Sequence, residues 1–168
     1  MQYDPQKHHR RSLRLAGYDY SRAGAYFCTI VIYQRECLLG NIVDSTMVLS
    51  QWGEIVHQAW FDLENHYSNI ALDEFCIMPN HVHGIIILSD EVATKEADTK
   101  PAPLSEVIRA FKSFSARRIN IARQTQGIPV WQRNYYEHII RDQREYLAIQ
   151  GYINQNPLNW ETDNEFAG

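Results

Sequence analysis

The sequence predicts an α+β domain of the ferredoxin-like type: a split βαβ arrangement whose antiparallel sheet carries two helices on one face, plus an added C-terminal helix. Strand and helix patterns follow one another along the chain in the order β, α, β, β, α, β, α. The turn signal Pro79-Asn80 separates two neighbouring apolar runs, which favours a hairpin between the middle strands. No internal repeat is visible, which argues against a repeat architecture.

The elements of the first half follow from local patterns. Residues 25–35 are aromatic and β-branched and predict a strand, and Asn41–Met47 forms either a short return strand or a turn. Residues 49–66 repeat apolar side chains at helical spacing and predict the clearest helix. Residues 69–79 and 81–88 predict the two strands of the hairpin.

The second half repeats the helix and strand pattern and adds a helix. Residues 104–124 predict a helix, with Ser105 as its N-cap. Residues 130–141 have strand character at both ends of the segment. Asp142 is a suitable N-cap for a last helix over residues 143–155.

Length and composition favour one domain with a polar lead-in. The chain has 168 residues, 45% of them hydrophobic, which is enough to bury a core. Residues 1–24 predict a basic N-terminal arm, residues 25–168 the domain, and residues 90–103 a mobile surface loop.

Other classes of protein are disfavoured. The longest strongly apolar stretch, around residues 85–88, is far too short for a membrane span, and the N-terminus lacks the features of a secretory signal. The three cysteines are odd in number and form no CxxC pair, so a disulfide framework is not expected. A reducing cytoplasm is the expected compartment.

Charge is distributed unevenly. The net charge is −4, yet residues 1–23 carry +3 and residues 104–144 carry +5, which leaves −12 for the rest of the chain. One anion-binding face on an acidic body would explain this asymmetry, and solvated helix faces would explain it equally well. The basic candidates for DNA contact are Arg10, Arg11, Arg14, Lys112, Arg117, Arg118 and Arg133.

Two histidines are the first candidates for chemistry. His81 and His83 lie at i and i+2 of a predicted strand, so both side chains point to the same face. Two neutral imidazoles on one face can hold a divalent metal. The same pattern also describes two ordinary strand histidines.

The last predicted helix carries two further candidates. Tyr152 and Asn156 are spaced i, i+4 and so lie on one face of that helix. A phenol is a possible nucleophile toward phosphorus, and an amide oxygen suits Mg²⁺ or Mn²⁺. The alternative is that Tyr152 packs against its helix neighbours and Asn156 ends the helix. Spacing alone does not choose between Tyr152, Tyr146 and the pair Tyr135-Tyr136.

Three blocks in order resemble a known family. MPNHVHGIII (78–87), WQRNYYEHIIR (131–141) and YINQNPLNW (152–160) are similar to the HUH tyrosine transposases, closest to the REP-associated tyrosine transposases. The opening HRRSLRLAGYDYSRAGAYFCTI (9–30) also resembles that subgroup, so the resemblance spans nearly the whole chain.

The resemblance implies roles for the candidate residues. His81 and His83 would be metal ligands, Tyr152 the nucleophile, and Asn156 an additional ligand, where many relatives have Gln. His138, in a block similar to the family's W-Q-x-x-x-x-E-H segment, would be a further ligand, a phosphate contact or a structural histidine. The tyrosine helix of such proteins serves either its own subunit or a partner, so monomer and homodimer both remain open.

The function that the resemblance implies is metal-dependent cleavage and strand transfer of single-stranded or hairpin DNA through a 5′-phosphotyrosine, with Mg or Mn as cofactor. Three alternatives remain open at this point. They are a DNA-hairpin-binding regulator without cleavage, an RNA-binding ferredoxin-like module, and a metal-dependent hydrolase of small molecules.

Overall fold

The computed structural model describes residues 23–90, 101–163 and 165. Within them the strands and helices are β1 (Gly24–Val31), β2 (Gly40–Val43), β3 (Thr46–Leu49), α1 (Gln51–Phe61), α2 (Leu63–His66), β4 (Ile70–Met78), β5 (His81–Leu88), α3 (Leu104–Ala122), β6 (Tyr136–Ile140) and α4 (Gln143–Gln155). A short 3₁₀ helix at Tyr33–Arg35 follows β1, and a longer one at Asn156–Thr162 follows α4.

The main sheet has the strand order β4-β5-β1-β6, and each neighbouring pair is antiparallel. This is the order that a split βαβ arrangement produces, so the predicted fold class is confirmed. Strands β4 and β6 are the two edges, and β5 and β1 lie in the centre. The hairpin of β2 and β3 forms a separate two-stranded sheet.

The sheet separates two apolar layers. The larger layer lies between one face of the sheet and helices α1 and α3, and it includes Trp60 and Phe111. The smaller layer lies on the other face under α4, where Ile153 packs with Phe27 and Ile85. The two βαβ helices therefore share one face, as predicted, and the added helix α4 covers the opposite one.

A close helix-to-strand contact fixes the face on which the histidines of β5 point. The Trp60 ring of α1 stacks on Phe75, with ring centroids 4.4 Å apart, and lies directly over Gly84. A Cβ atom at position 84 would come within 2.4 Å of the Trp60 ring. Gly84 and Val82 thus face the helices, and the residues between and beside them face α4.

Several boundaries differ from the predicted ones. Residues 41–47, predicted as a short return strand or a turn, contain both, since they include most of β2, the connecting turn and the start of β3. The helix predicted over 49–66 begins after Ser50, whose hydroxyl accepts from the backbone N–H groups of Trp52 and Gly53, and it divides at Asp62 into α1 and α2. The predicted N-cap role of Ser105 is wrong, because α3 begins at Leu104 and its N-cap is Pro103, two residues before Ser105.

Two predicted features lie outside the described residues. The first is the basic N-terminal arm, of which residues 1–22 lie outside. The second is the surface loop, of which residues 91–100 lie outside. Among the helices that the structure describes, none has the length and hydropathy needed to cross a membrane.

Candidate active site

The centre of the site is a pair of buried histidines at the start of β5. His81 is fully buried and His83 is 3% exposed. Their Nε2 atoms are 2.9 Å apart, because alternation along the strand places both rings on the face covered by α4. The His83 ring also stacks on Phe27 of β1, with centroids 5.4 Å apart.

Hydrogen bonds orient both rings. Asn80 Nδ2 donates to the carbonyl oxygens of Arg35 and Glu165, at 3.3 and 2.7 Å, so its Oδ1 atom faces His81 Nδ1 at 2.8 Å. His81 Nδ1 must therefore be the protonated nitrogen of that ring. The Thr29 hydroxyl forms a hydrogen bond with His83 Nδ1, also at 2.8 Å. In both rings Nε2 is left as the atom that faces the site, as in metal-binding histidines.

The buried pair favours neutral rings. Burial lowers the pKa of His81 to about 4, and the nearby Asp163 carboxylate opposes this shift with a smaller effect. Burial also lowers the pKa of His83 well below its usual value, and the neighbouring His81 adds to that shift. Two neutral Nε2 lone pairs at 2.9 Å repel each other unless a proton or a cation lies between them. The donor set therefore fits a divalent cation, which requires neutral imidazole ligands.

These shifts predict how the stability of the metal-free protein depends on pH. Between pH 6.5 and about 4 the unfolded histidines bind protons that the folded ones do not, so the free energy of unfolding falls as the pH falls through this window. For His81 alone the loss by pH 4.5 is on the order of a few kcal/mol. Urea denaturation of the chelator-treated protein at pH 7 and 4.5 measures it. A His81→Gln, His83→Gln variant should lose less stability than the wild type; equal losses would contradict the assignment.

Tyr152 of α4 lies against this pair within the same chain. Its phenol oxygen is 3.5 Å from His83 Nε2, and its ring contacts those of His83 and Phe27 edge-on, with centroids 5.3 and 6.0 Å apart. Tyr152 is 48% exposed, so α4 does not bury this side chain in the core. Burial of the phenol raises the pKa of Tyr152, and the nearby Asn156 amide acts in the opposite direction.

The other tyrosine of α4 is engaged elsewhere. The Tyr146 hydroxyl donates to the carboxylate of Asp73 on β4. Burial, together with this carboxylate, raises the pKa of Tyr146 to about 12. Tyr146 is thus a committed hydrogen-bond donor, whereas Tyr152 faces the histidines. Of the two tyrosines of α4, only Tyr152 has a contact with the histidine pair.

Asn156, one helical turn after Tyr152, contributes a buried amide to the site. It is 1% exposed, and neither its nitrogen nor its oxygen forms a hydrogen bond with any described residue. The amide is close enough to the Tyr152 phenol to lower its pKa, yet the geometry falls short of a hydrogen bond. A buried amide oxygen without a partner is suited to binding a cation.

Asp163 is a third potential ligand at the site, and the sequence patterns did not identify it. Its Oδ2 atom lies 3.9 Å from His81 Nε2, and the ligand atoms of Asp163, His81 and His83 all lie within 4.8 Å of one another. Oδ1 accepts from the backbone N–H of Glu165 at 2.6 Å, which orients the carboxylate. The 3₁₀ helix at Asn156–Thr162 returns the chain to the histidines. A single Asp in an acidic tail carries no spacing signal that could have revealed this.

His138 is not part of this cluster. It lies on β6, and its Nε2 atom is 2.6 Å from the Glu145 carboxylate of α4. Of the three roles that the sequence left open for His138, this contact favours the structural one, although its partner is a side chain rather than the backbone.

The basic candidates of α3 lie on the helical layer, across the sheet from the histidines. Lys112 donates to the carbonyl oxygens of Gln132 and Arg133, at 2.6 and 3.0 Å, and burial lowers its pKa. Arg118 pairs with Asp62 at 2.7 Å, and Arg117 is exposed. Arg10, Arg11 and Arg14 lie outside the described residues.

Arg133 is placed differently. It is exposed and precedes β6, just after Trp131, which pairs with Ile32 beyond the end of β1. That end of β1 is the one that pairs with His81. Trp131 is itself buried and donates to Ser115, so it belongs to the core and not to a base-stacking surface.

Comparisons with known proteins place this arrangement in a family. The family model of IS200-like transposases matches residues 44–156. A protein of Haemophilus influenzae is 41% identical over an alignment of 174 positions, which covers 96% of this chain and 95% of that protein. A second protein of the same bacterium, named a REP-associated tyrosine transposase, is 26% identical over 145 residues, which cover 83% of this chain and 73% of that protein.

Two solved structures share the fold. A REP-associated tyrosine transposase bound to a REP hairpin has a TM-score of 0.60 at 19% identity, covering 87% of this chain and 73% of that one. A transposase from Deinococcus radiodurans has a TM-score of 0.51 at 21% identity, covering 84% and 96%. Since the family model spans well over half of the sequence, the chain belongs to the family of IS200-like transposases.

Proposed function

We propose that this protein cleaves and rejoins single-stranded DNA at a hairpin, using Tyr152 as the nucleophile and a divalent metal, Mg or Mn, as cofactor. The observation that carries the proposal is the position of the Tyr152 phenol, 3.5 Å from one of two buried histidines whose Nε2 atoms face each other at 2.9 Å. The solved relative bound to a REP hairpin supports hairpin DNA as the substrate class.

His81 and His83 would hold the metal, with Asp163 and the Asn156 amide oxygen as candidate additional ligands. Bound there, a divalent ion would neutralise charge on the scissile phosphate and orient it for in-line attack. Asn80 and Thr29 would keep the two Nε2 atoms directed at that position.

The reaction itself needs one new bond and one broken bond. The Tyr152 oxygen attacks phosphorus and displaces the 3′ oxygen of the preceding nucleotide. The phenol proton is lost to solvent, and the 3′ oxygen leaves as a hydroxyl after taking up a proton. The products are a 5′-phosphotyrosine and a free 3′-OH. Attack by another 3′-OH reverses the step, so the strands rejoin without an external energy source.

Position on the sheet suggests which basic residues contact DNA. We expect Arg133→Gln to reduce the slope of log K against log salt concentration by about one, because one phosphate contact is lost. Arg118→Gln is the control, since its guanidinium is already paired with Asp62 at 2.7 Å on the helical side of the sheet; it should leave the slope unchanged. Fluorescence anisotropy of a labelled hairpin over a salt series measures both variants. An unchanged slope for Arg133→Gln would remove that residue from the interface.

The arm arginines allow a second comparison. Neutralising Arg10, Arg11 and Arg14 together should flatten the salt dependence more than neutralising Arg117 and Arg118, because Arg118 is already paired with Asp62.

The proposed function is tested with a library of labelled DNA hairpins incubated with the protein and Mn²⁺. Denaturing gels should show a covalent protein–DNA adduct that forms with Mn²⁺ and not with a chelator. Hairpin binding without any adduct would favour the non-cleaving regulator. An RNA-binding module is disfavoured by α4, because this helix covers the sheet face on which such modules stack bases.

A further inference from the structure

Helix α4, which carries Tyr152, is attached to both edge strands of its own sheet by carboxylate contacts. On the β4 side, Asp73 accepts from the Tyr146 hydroxyl and, at 2.9 Å, from Gln150 Nε2. Tyr146 and Gln150 are spaced i, i+4, so a single carboxylate engages one face of the helix over a full turn.

On the β6 side the carboxylate comes from the helix. Glu145 Oε1 contacts His138 Nε2 at 2.6 Å, and Oε2 accepts from the backbone N–H of Arg141 at 2.7 Å. Asp142 caps the same turn by accepting from the N–H of Glu145 at 2.8 Å. The first turn of α4 is thereby fixed to the strand that precedes it.

The backbone of β4 is shaped to present Asp73. The pairing of β4 with β5 is interrupted between Leu72 and Phe75. Leu72 and Phe75 both pack in the layer of α1 and α3, although an unbroken strand would point them to opposite faces. The irregularity therefore leaves Asp73 on the face of α4, a known use of bulges in edge strands.

Helix α4 buries little apolar surface against the sheet. Ile153 is its one fully buried side chain, while Leu147 is 57% exposed. Compared with α3, which buries six residues, α4 depends more on its polar contacts for its position.

We propose that Asp73, with Tyr146 and Gln150, and His138, with Glu145, form a two-sided clamp that positions α4 so that Tyr152 acts on the histidine pair of its own subunit. The inference rests on the proposed function and assigns Asp73 and His138 as positioning residues. The clamp leaves the Tyr152 oxygen and the histidines untouched, so its loss should misplace the nucleophile without removing any group that reacts.

The test compares Tyr146→Phe/Gln150→Ala, which removes both donors to Asp73, with Gln143→Ala, which alters an exposed glutamine in the first turn of the same helix. We expect the first variant to lower the single-turnover rate of adduct formation by about tenfold to a hundredfold, as for a misplaced reacting group, with hairpin affinity unchanged. Hydrogen exchange of the α4 amides should become faster. Asp73→Asn, which keeps an acceptor oxygen, should retain more of the rate than Asp73→Ala. If adduct formation and α4 exchange in the double variant match those of Gln143→Ala, the clamp does not position the helix.

A mixing experiment tests which subunit supplies the tyrosine. A mixture of a Tyr152→Phe protein and a His81→Ala/His83→Ala protein should form no more adduct than the two proteins form separately. The clamp holds the one remaining Tyr152 on the defective histidine site of its own chain, and the chain with intact histidines has no phenol oxygen. Adduct in the mixture clearly above the sum of the two separate proteins would overturn the own-subunit assignment. If wild type forms no adduct with any hairpin, the proposed function fails, and the exchange comparison still decides the clamp.

Discussion

Replacing Tyr152 by phenylalanine should abolish the covalent protein–DNA adduct, with a loss on the order of 10⁴-fold or more, as for removal of a catalytic nucleophile. The substitution keeps the ring, which rests edge-on against Phe27 and His83. It deletes an oxygen whose contact with His83 Nε2, at 3.5 Å, is long for a hydrogen bond. The thermal midpoint should therefore remain close to that of the wild type, and hairpin binding should persist.

Peptide mapping of the trapped adduct provides the complementary measurement. The DNA should be found on the peptide containing Tyr152. Tyr146 is an informative comparison, since its hydroxyl is bonded to Asp73 and its pKa is raised to about 12. An adduct mapped to Tyr135, Tyr136 or Tyr146, or one that still forms with Tyr152→Phe, would refute the assignment of the nucleophile.

The second large effect concerns the histidine pair. His81→Ala or His83→Ala should lower the rate of cleavage on the order of 10²- to 10³-fold, because a metal that stabilises transition-state charge contributes several kcal/mol. Hairpin affinity should change less than the cleavage rate, since the arginines proposed to contact other phosphates are kept in both variants. Single-turnover cleavage and anisotropy measure the two quantities separately.

Metal binding gives a readout of the histidine pair that does not depend on activity. Calorimetric titration with Mn²⁺ should show one site in the wild type and a large loss of affinity in either alanine variant. His57→Ala is a suitable control, because His57 is an exposed histidine on α1 that packs on Phe61. Either alanine variant cleaving normally with Mg²⁺ would exclude the metal role.

Local sequence patterns were sufficient to predict the fold class and the direction of several candidate side chains. Alternation along β5 places His81 and His83 on one face whatever surrounds the strand, and the i, i+4 spacing places Tyr152 and Asn156 together on α4. The order of elements, with a turn signal at Pro79-Asn80, predicted the ferredoxin-like sheet, because short connections and strand pairing leave few other topologies. The Asp142 cap of α4 is equally local, and it is observed.

Contacts between distant segments decided the rest. Asp163 meets His81 across 82 residues of chain, and its neighbours give no pattern from which this could be read. Helical spacing offered both Tyr146 and Tyr152 as candidate nucleophiles, and the hydrogen bond from Tyr146 to Asp73 distinguishes their surroundings. His138, a candidate metal ligand in the sequence, contacts Glu145 and not the histidine pair. Lys112, a candidate for DNA contact in the sequence, donates hydrogen bonds to the backbone carbonyl oxygens of Gln132 and Arg133. Sequence periodicity thus determined which way each side chain points from its own strand or helix, whereas only the packing of those elements determined which side chains meet, because hydrogen bonds and charge contacts depend on distances between segments that are remote along the chain.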